Sequence, residues 1–270
     1  MDEVMSVDGI GSFLKTKWAG RQLEVYKETD STNNDAAQRA KEGAVSGTLI
    51  VADKQTSGRG RHGHVWQTPE EKNIAMSILV RPEFDIGKAP MLTLVMGMAV
   101  AKAIEDVTML KAGIKWPNDV VINNKKLCGI LTELHPEPDN KSFCVVIGVG
   151  INVNQESFAD DIADMAGSLL TETGKKYDRN KVIAKVMEAF EGYYEIFAKT
   201  GSLEGLKEAY EERLLNKGER VRVLDPLHEY QGVCLGIALG GELLVQKDNG
   251  EVVRVNAGEV SVRGLYGYAV

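Results

Sequence analysis

The segment "KAPMLTLVMGMAVAKAIEDV" (residues 88–107) is apolar along its whole length, so as a helix it belongs inside a core, with Pro90 tolerated in its first turn. Four short β-rich runs follow: "GIKW", "DVVIN", "KLCGILTEL" and "SFCVVIGVGINVN" (Ser142 to Asn154). They are broken by Pro117, by Asn123-Asn124 and by "HPEPDN". Two more strands are expected at residues 47–53 and 73–81, and a short helix with Ala36, Ala37 and Ala40 follows the cap-type residues Ser31, Thr32 and Asn33. Two later helices are expected, from the N-cap Asp178 to about Thr200 and from about Ser202 to Leu215; the apolar stripe of "KVIAKVMEAFEGYYEIF" reads as core. From Asn216 short alternating strands alternate with Asp-Pro, Gly-Gly and Asn-Gly turns, the texture of a β-barrel of roughly fifty residues. The expected division is a short lead over residues 1–20, a main domain over 21–215 and a small domain over 216–270.

Gly58 to Gly63 read "GRGRHG", which satisfies G-x-G-x-x-G. In dinucleotide-binding folds that fingerprint joins a strand to a helix whose N-terminus receives the pyrophosphate. Here "GTLIVAD" precedes as a strand, but "HVWQTP" and the strand "NIAMSILV" follow, so no helix N-terminus is available. Charge points elsewhere. The chain carries 32 Lys+Arg against 39 Asp+Glu, a net charge of −7, yet residues 54–69 hold Lys54, Arg59, Arg61, His62 and His64 and no carboxylate. Guanidinium forks on a glycine-rich loop between strands grip phosphate or carboxylate. A solvated basic turn and an RNA-binding Gly-Arg segment are the alternatives, the latter usually long and disordered.

Composition excludes other classes. No apolar run is long enough to span a membrane, and "MDEVMSVDGIGSFLKTKWAG" lacks a signal-peptide core. Cys128, Cys144 and Cys234 form no C-x-x-C, which argues against a disulfide scaffold or zinc and fits a reducing cytoplasm. His62 and His64 have no third ligand nearby and read as polar loop residues. Trp18 and Tyr26 read as packing residues.

Taken together, "DSTN", "GRGRHG", "KWPNDVVINNKKLCGILTEL" and "VIGVGINVN" resemble biotin protein ligases, in the family's order and spacing, over about residues 24–270. The resemblance implies an α+β fold: a mixed β-sheet catalytic domain of the biotin/lipoate ligase type with flanking helices, plus a small C-terminal SH3-like β-barrel. It implies ATP-dependent conversion of biotin to biotinyl-5'-AMP and transfer of biotin to a lysine of a biotin carboxyl carrier protein, with ATP and Mg2+ required. By the family's motifs, Ser31, Thr32 and Asn33 lie against the biotin ring, Gln55 contacts biotin, and Gly129 and Gly148 are close-approach glycines beside it. Arg59, Gly60 and Arg61 form the biotinyl-adenylate loop, Arg61 meeting the phosphate, and Lys126 reaches the biotin carboxylate and the α-phosphate. Trp66 and Asn152 fall at the adenine, and Asn118 and Asp119 beside nucleotide and magnesium, although Asp119 also reads as a cap of the W-P-N-D turn. Lys126 by spacing alone reads equally as a solvated turn lysine beside Lys125.

One position departs from the family: the loop often ends in Arg where this chain has His64, which weakens the expected clamp at neutral pH. Chemistry agrees with the motif positions. Joining a carboxylate to ATP brings anions together and requires fixed cations near the α-phosphate, the roles expected of the catalytic pair Arg61 and Lys126. A lipoate or octanoate transferase shares the fold, but an aliphatic chain does not need the polar "DSTN". A biotin-responsive transcriptional regulator would need a winged helix, and only some twenty non-basic residues precede "RQLEVYKETDSTN". The expectation is therefore a monofunctional enzyme, monomeric or homodimeric, that binds neither a specific DNA site nor a membrane.

Overall fold

The structure is a computed structural model that describes residues 4–137, 142–224, 229–257 and 261–264. Chain order runs α1 (Val7–Phe13), β1 (Leu23–Thr29), α2 (Thr32–Lys41), β2 (Leu49–Gln55), β3 (Ile74–Val80) and α3 (Met91–Thr108). Next come β4 (Gly113–Lys115), β5 (Asp119–Ile122), β6 (Lys125–Pro136), β7 (Phe143–Ile151), α4 (Leu169–Thr173), α5 (Arg179–Thr200) and α6 (Lys207–Glu211). Strands β8 (Arg220–Leu224), β9 (Tyr230–Ile237), β10 (Leu243–Gln246), β11 (Val252–Val255) and β12 (Ser261–Gly264) end the described chain.

The first seven strands form one mixed sheet in the order β1-β2-β3-β7-β6-β5-β4. β1 and β2 are parallel, joined through α2 as a parallel pair requires, and every other pairing is antiparallel. Alternation along a strand sends successive side chains to opposite faces. In β7, Val145, Ile147, Val149 and Ile151 enter the large core, which also takes Leu92, Val95, Met96 and Ile104 of α3 and Val182, Val186 and Phe190 of α5. Cys144 and Val146 point the other way and join Ile50 and Leu79 beneath Ala36 and Ala40 of α2. The helix expected over 88–107 begins at Met91, with Pro90 in the cap position. Ser31 occupies the cap position of α2 without a side-chain cap bond, whereas Asp178 accepts from the Asn180 amide at the start of α5.

One element differs from expectation. The long helix expected over 202–215 is the single short α6, because strand β4 and the turn after β9 take its flanking backbone groups instead. Leu203 N donates to Leu239 O, and Ile114 bonds Arg213 O and Leu215 N on either side of an isolated parallel bridge to Leu214. The C-terminal strands form an antiparallel sheet in the order β11-β10-β9-β8-β12, the small SH3-like β unit. This agrees with the expected SH3-like unit; among the described residues no pairing joins β11 to β12, and the Asp225-Pro226 turn lies outside the described residues. Trp116 Nε1 donates to Gly241 O at 3.0 Å, tying this sheet to the larger one. No helix among the described residues is long and apolar enough to cross a membrane.

The N-terminal segment is anchored by one carboxylate. Glu191 of α5 is 8% exposed and accepts from the amides of Lys17, Trp18 and Ala19 at 2.7–3.0 Å. Burial pushes its pKa up, but those backbone donors outweigh burial and hold it below the usual 4.5. Replacing Glu191 by Gln leaves buried donors poorly satisfied and should cost about 2 kcal/mol in urea unfolding at pH 7. Because the folded pKa is depressed, that difference should be complete above pH 4.5 and close as pH falls below it.

Candidate active site

At the centre of the sheet, on the face that α2 covers at one end, three strand positions are glycine and carry no side chain. Gly148 and Gly150 follow Cys144 and Val146 on the same face of β7, and Gly129 of β6 stands directly opposite Gly150. The absence of three Cβ atoms opens a cavity of about 570 Å³ above the sheet. Ser31, Thr32, Asn33, Gln55, Arg59, Gly60, Arg61, Trp66, Asn118, Asp119, Lys126, Gly129, Gly148 and Asn152 all line it. Residues from five separate stretches of sequence thus reach one hollow.

One end is polar. Gln55 Oε1 accepts from Thr32 N at 2.9 Å and Thr32 Oγ1 at 3.2 Å, and Ser77 Oγ bonds Thr32 Oγ1 at 2.7 Å and Asn33 Oδ1 at 2.6 Å. Asn33 Nδ2 donates to Glu133 at 2.6 Å. A Cβ at Gly148 would overlap the Asn33 amide, so glycine there is what admits Asn33 to the sheet. Amides and hydroxyls this close, with Ser31, Thr32, Asn33 and Ser77 buried and Gln55 half-buried, suit a neutral ligand that both donates and accepts.

The basic loop folds back on itself. Gly60 N donates to His64 O at 2.7 Å, Trp66 N to Gly58 O at 2.9 Å, and Arg59 bridges to Val65. His64 thus closes the hairpin through its backbone; its side chain is exposed, and that of His62 lies outside the described residues. Arg59 reaches Asn34 at 2.9 Å and Glu133 at 3.2 Å. Arg61 turns inward, donating to Asn118 Oδ1 at 3.1 Å and to the carbonyl of Ala257. Burial lowers the pKa of its guanidinium, and the nearby Asp119 opposes the shift. Trp66 lays its indole over the bare strands: a Cβ at Gly150 would overlap the ring, and one at Gly129 would lie 3.1 Å from Cζ3. Its buried Nε1 has no hydrogen-bond partner among the described residues.

Beneath the loop, Lys126 Nζ sits 2.7 Å from Asp119 Oδ1 and 5.8 Å from the Trp66 ring centre. Asp119, expected beside a metal, stands between two ammonium groups, since Lys115 Nζ is 3.8 Å from its other oxygen. Asn118 is held by Ile130 through Nδ2 and its carbonyl. Asn152 is buried, its amide donating to Gly167 O at 3.0 Å and accepting from Asn73 at 3.3 Å. At this end Phe158, Ile162 and Met165 make the wall apolar.

Residues 25–152 match the biotin/lipoate A/B protein ligase family, and residues 218–263 match the biotin protein ligase C-terminal domain. The bifunctional ligase/repressor BirA of Bacillus subtilis is 39% identical over 239 residues, covering 88% of this chain and 73% of the relative. The biotin–[acetyl-CoA-carboxylase] ligase of Mycobacterium tuberculosis is 34% identical over 246 residues, 89% of this chain and 88% of that protein. The chain belongs to the biotin protein ligase family. Its fold is similar to the solved biotin protein ligase of Aquifex aeolicus in complex with biotin and ATP, with a TM-score of 0.78 and 35% identity over 90% of this chain and 99% of that one.

Several lining or supporting residues of this family member escaped the motif reading. Gly150 had a usable signal, a second glycine two positions after Gly148 in a strand otherwise rich in Val and Ile. Ser77 shows as a hydroxyl in the otherwise apolar "AMSILV", and Lys115 as a cation inside a strand. Glu133 and the wall at 158–166 carry no local signal; only tertiary packing brings them to the cavity. Gly150→Ala should displace the Trp66 ring and open the hairpin. Trypsin cleavage at Arg59 and Arg61 should then accelerate about 10-fold over the wild type while the rest of the chain keeps its resistance. Unchanged cleavage would show that the ring does not depend on the bare strand.

Proposed function

We propose that this cavity is where the chain joins biotin to AMP and from which it passes biotin to a lysine of a biotin carboxyl carrier protein. The observation that carries this is the charge arrangement. In a chain of net charge −7, four cations among the described residues (Arg59, Arg61, Lys115 and Lys126) line the cavity with the carboxylates Asp119 and Asp161, and Glu133 at its polar end pairs with Arg59. They lie between a polar end and an apolar, tryptophan-covered end. That order matches biotinyl-5'-AMP: a ureido ring, then a carboxyl–phosphate junction, then a purine.

In this reading Ser31, Thr32, Asn33 and Gln55 pair with the ureido group, and Gly129 and Gly148 border the ring by letting Trp66 and Asn33 lie close against the strands beside it. A carboxylate oxygen of biotin attacks the α-phosphorus of ATP, the bond to pyrophosphate breaks, and a mixed anhydride forms. Arg61 and Lys126 hold the α-phosphate oxygens while charge builds there, in a site that Trp66 and the hairpin shield from water. Arg59 and Gly60 close the loop over the intermediate; Trp66, Asn118 and Asn152 border the nucleotide. The carrier lysine, as a free amine, then attacks the acyl carbon and AMP leaves. No enzyme nucleophile is needed, because the anhydride is itself activated.

Magnesium fits only loosely to the protein. Among the described residues no three His, Cys, Asp or Glu side chains converge, and Asp119 is engaged by lysines. The residues present do not build a magnesium cage, so the ion would arrive on the polyphosphate of ATP, as magnesium often does where protein ligands are few.

Purified protein given biotin, ATP and magnesium should release pyrophosphate and label a carboxylase carrier domain at one lysine. Octanoate or lipoate should give far less product; equal use of them would overturn the biotin assignment. Arg61→Ala and Lys126→Ala should each slow biotin-dependent ATP–pyrophosphate exchange about 100-fold, the usual cost of removing one group that stabilises transition-state charge. If both variants exchange at the wild-type rate, these cations do not face the α-phosphate.

A further inference from the structure

Among the described residues the cluster under the hairpin holds one carboxylate and two ammonium groups, and the proposed adenylation uses only one of the three. Lys115 on β4 stands directly across from Asp119 on β5 in antiparallel register, its Nζ 3.8 Å from Oδ2. Lys126 comes from β6 to Oδ1 of the same carboxylate at 2.7 Å. The three differ in depth: the side chains of Lys115 and Asp119 are each 8% exposed, while that of Lys126 is 28% exposed and nearest the opening. A deeply buried carboxylate needs a counter-charge. Were Lys126 the sole counter-charge, moving it onto a ligand would leave a bare buried anion beside the incoming phosphate, opposing the reaction twice over. With Lys115 already alongside, Asp119 keeps a partner when Lys126 moves.

We propose that Lys115 is a positioning residue for adenylation: by neutralising Asp119 it frees Lys126 to turn from the carboxylate to the phosphate. This rests on the reading of the cavity as the adenylation site. It assigns Asp119 to the lysine pair, and it gives a role to a lysine that the sequence shows only as part of the strand "GIKW". Lys115 remains at the edge of the sheet throughout, while Lys126, the more exposed of the two, exchanges partners.

The test is a double-mutant cycle on the full chain, with Lys115→Met, Asp119→Asn and the two combined. Two reactions are followed: biotin-dependent ATP–pyrophosphate exchange, and transfer from chemically prepared biotinyl-AMP to a carrier domain. Lys115→Met should lower kcat for exchange about 30-fold, a size typical of coupled neighbours, and change transfer by less than about 3-fold. In the Asp119→Asn background, where no anion needs neutralising, the same change should cost less than about 3-fold. Lys115→Arg, which keeps the charge, should restore most of the exchange rate. A direct phosphate ligand would instead raise KM for ATP and lose as much in the Asp119→Asn background as in the wild type, and either result overturns the proposal. So does a Lys115→Arg variant as slow as Lys115→Met. If Lys115→Met does not fold, the comparison of Asp119→Asn with the double variant decides. Absence of biotin-dependent exchange in the wild type is a separate outcome, the failure of the adenylation reading itself.

Discussion

A sheet normally covers itself with its own side chains, and this one does not at its centre. Gly129, Gly148 and Gly150 leave the backbone of β6 and β7 bare on one face, directly beyond the patch that Cys144 and Val146 fill beneath α2. The site depends on that gap. Asn33 enters because Gly148 has no Cβ, and Trp66 lies flat because Gly150 has none. Glycine weakens a strand interior. The opposite face offsets this, because Val145, Ile147, Val149 and Ile151 are buried in the large core that also takes α3 and α5.

The electrostatic design follows from the same geometry. Strands β4, β5 and β6 meet at the edge of the hollow and bring Lys115, Asp119 and Lys126 into one ion-paired cluster, while the hairpin brings Arg61 to the same cavity. Excess positive charge inside a low-dielectric pocket is costly without an anion. Asp119 supplies a partial counter-charge within the protein, and an anionic ligand would supply the rest. The shift of Arg61, lowered by burial, has the same origin. A pocket strained in this way favours whichever ligand carries charge to its middle.

Much of this was legible in the chain. The all-apolar stretch of α3, the β-branched runs of β4 to β7 and the cap at Asp178 mark elements whose signals are local, and each lies where those signals put it within a few residues. Each motif residue named from the sequence reaches the cavity wall, since motifs record chemistry that must meet whatever the intervening chain does. The helix expected over 202–215 failed because its backbone pairs with Ile114 and Leu239, residues far away in sequence. Glu133 and the wall near Ile162 were invisible for a similar reason.

By itself, then, the sequence determined periodicity, turns, the concentration of cations in an acidic chain and the family to which these motifs are similar. Those are properties of neighbouring residues and of residue type. Tertiary structure alone decided that Trp66 rests on Gly150, that Asp119 is shared by Lys115 and Lys126, and that Glu191 fastens the N-terminal segment. Each of these joins groups through space that the chain separates, and a one-dimensional pattern carries no record of which side chains a folded sheet will bring within 4 Å of one another.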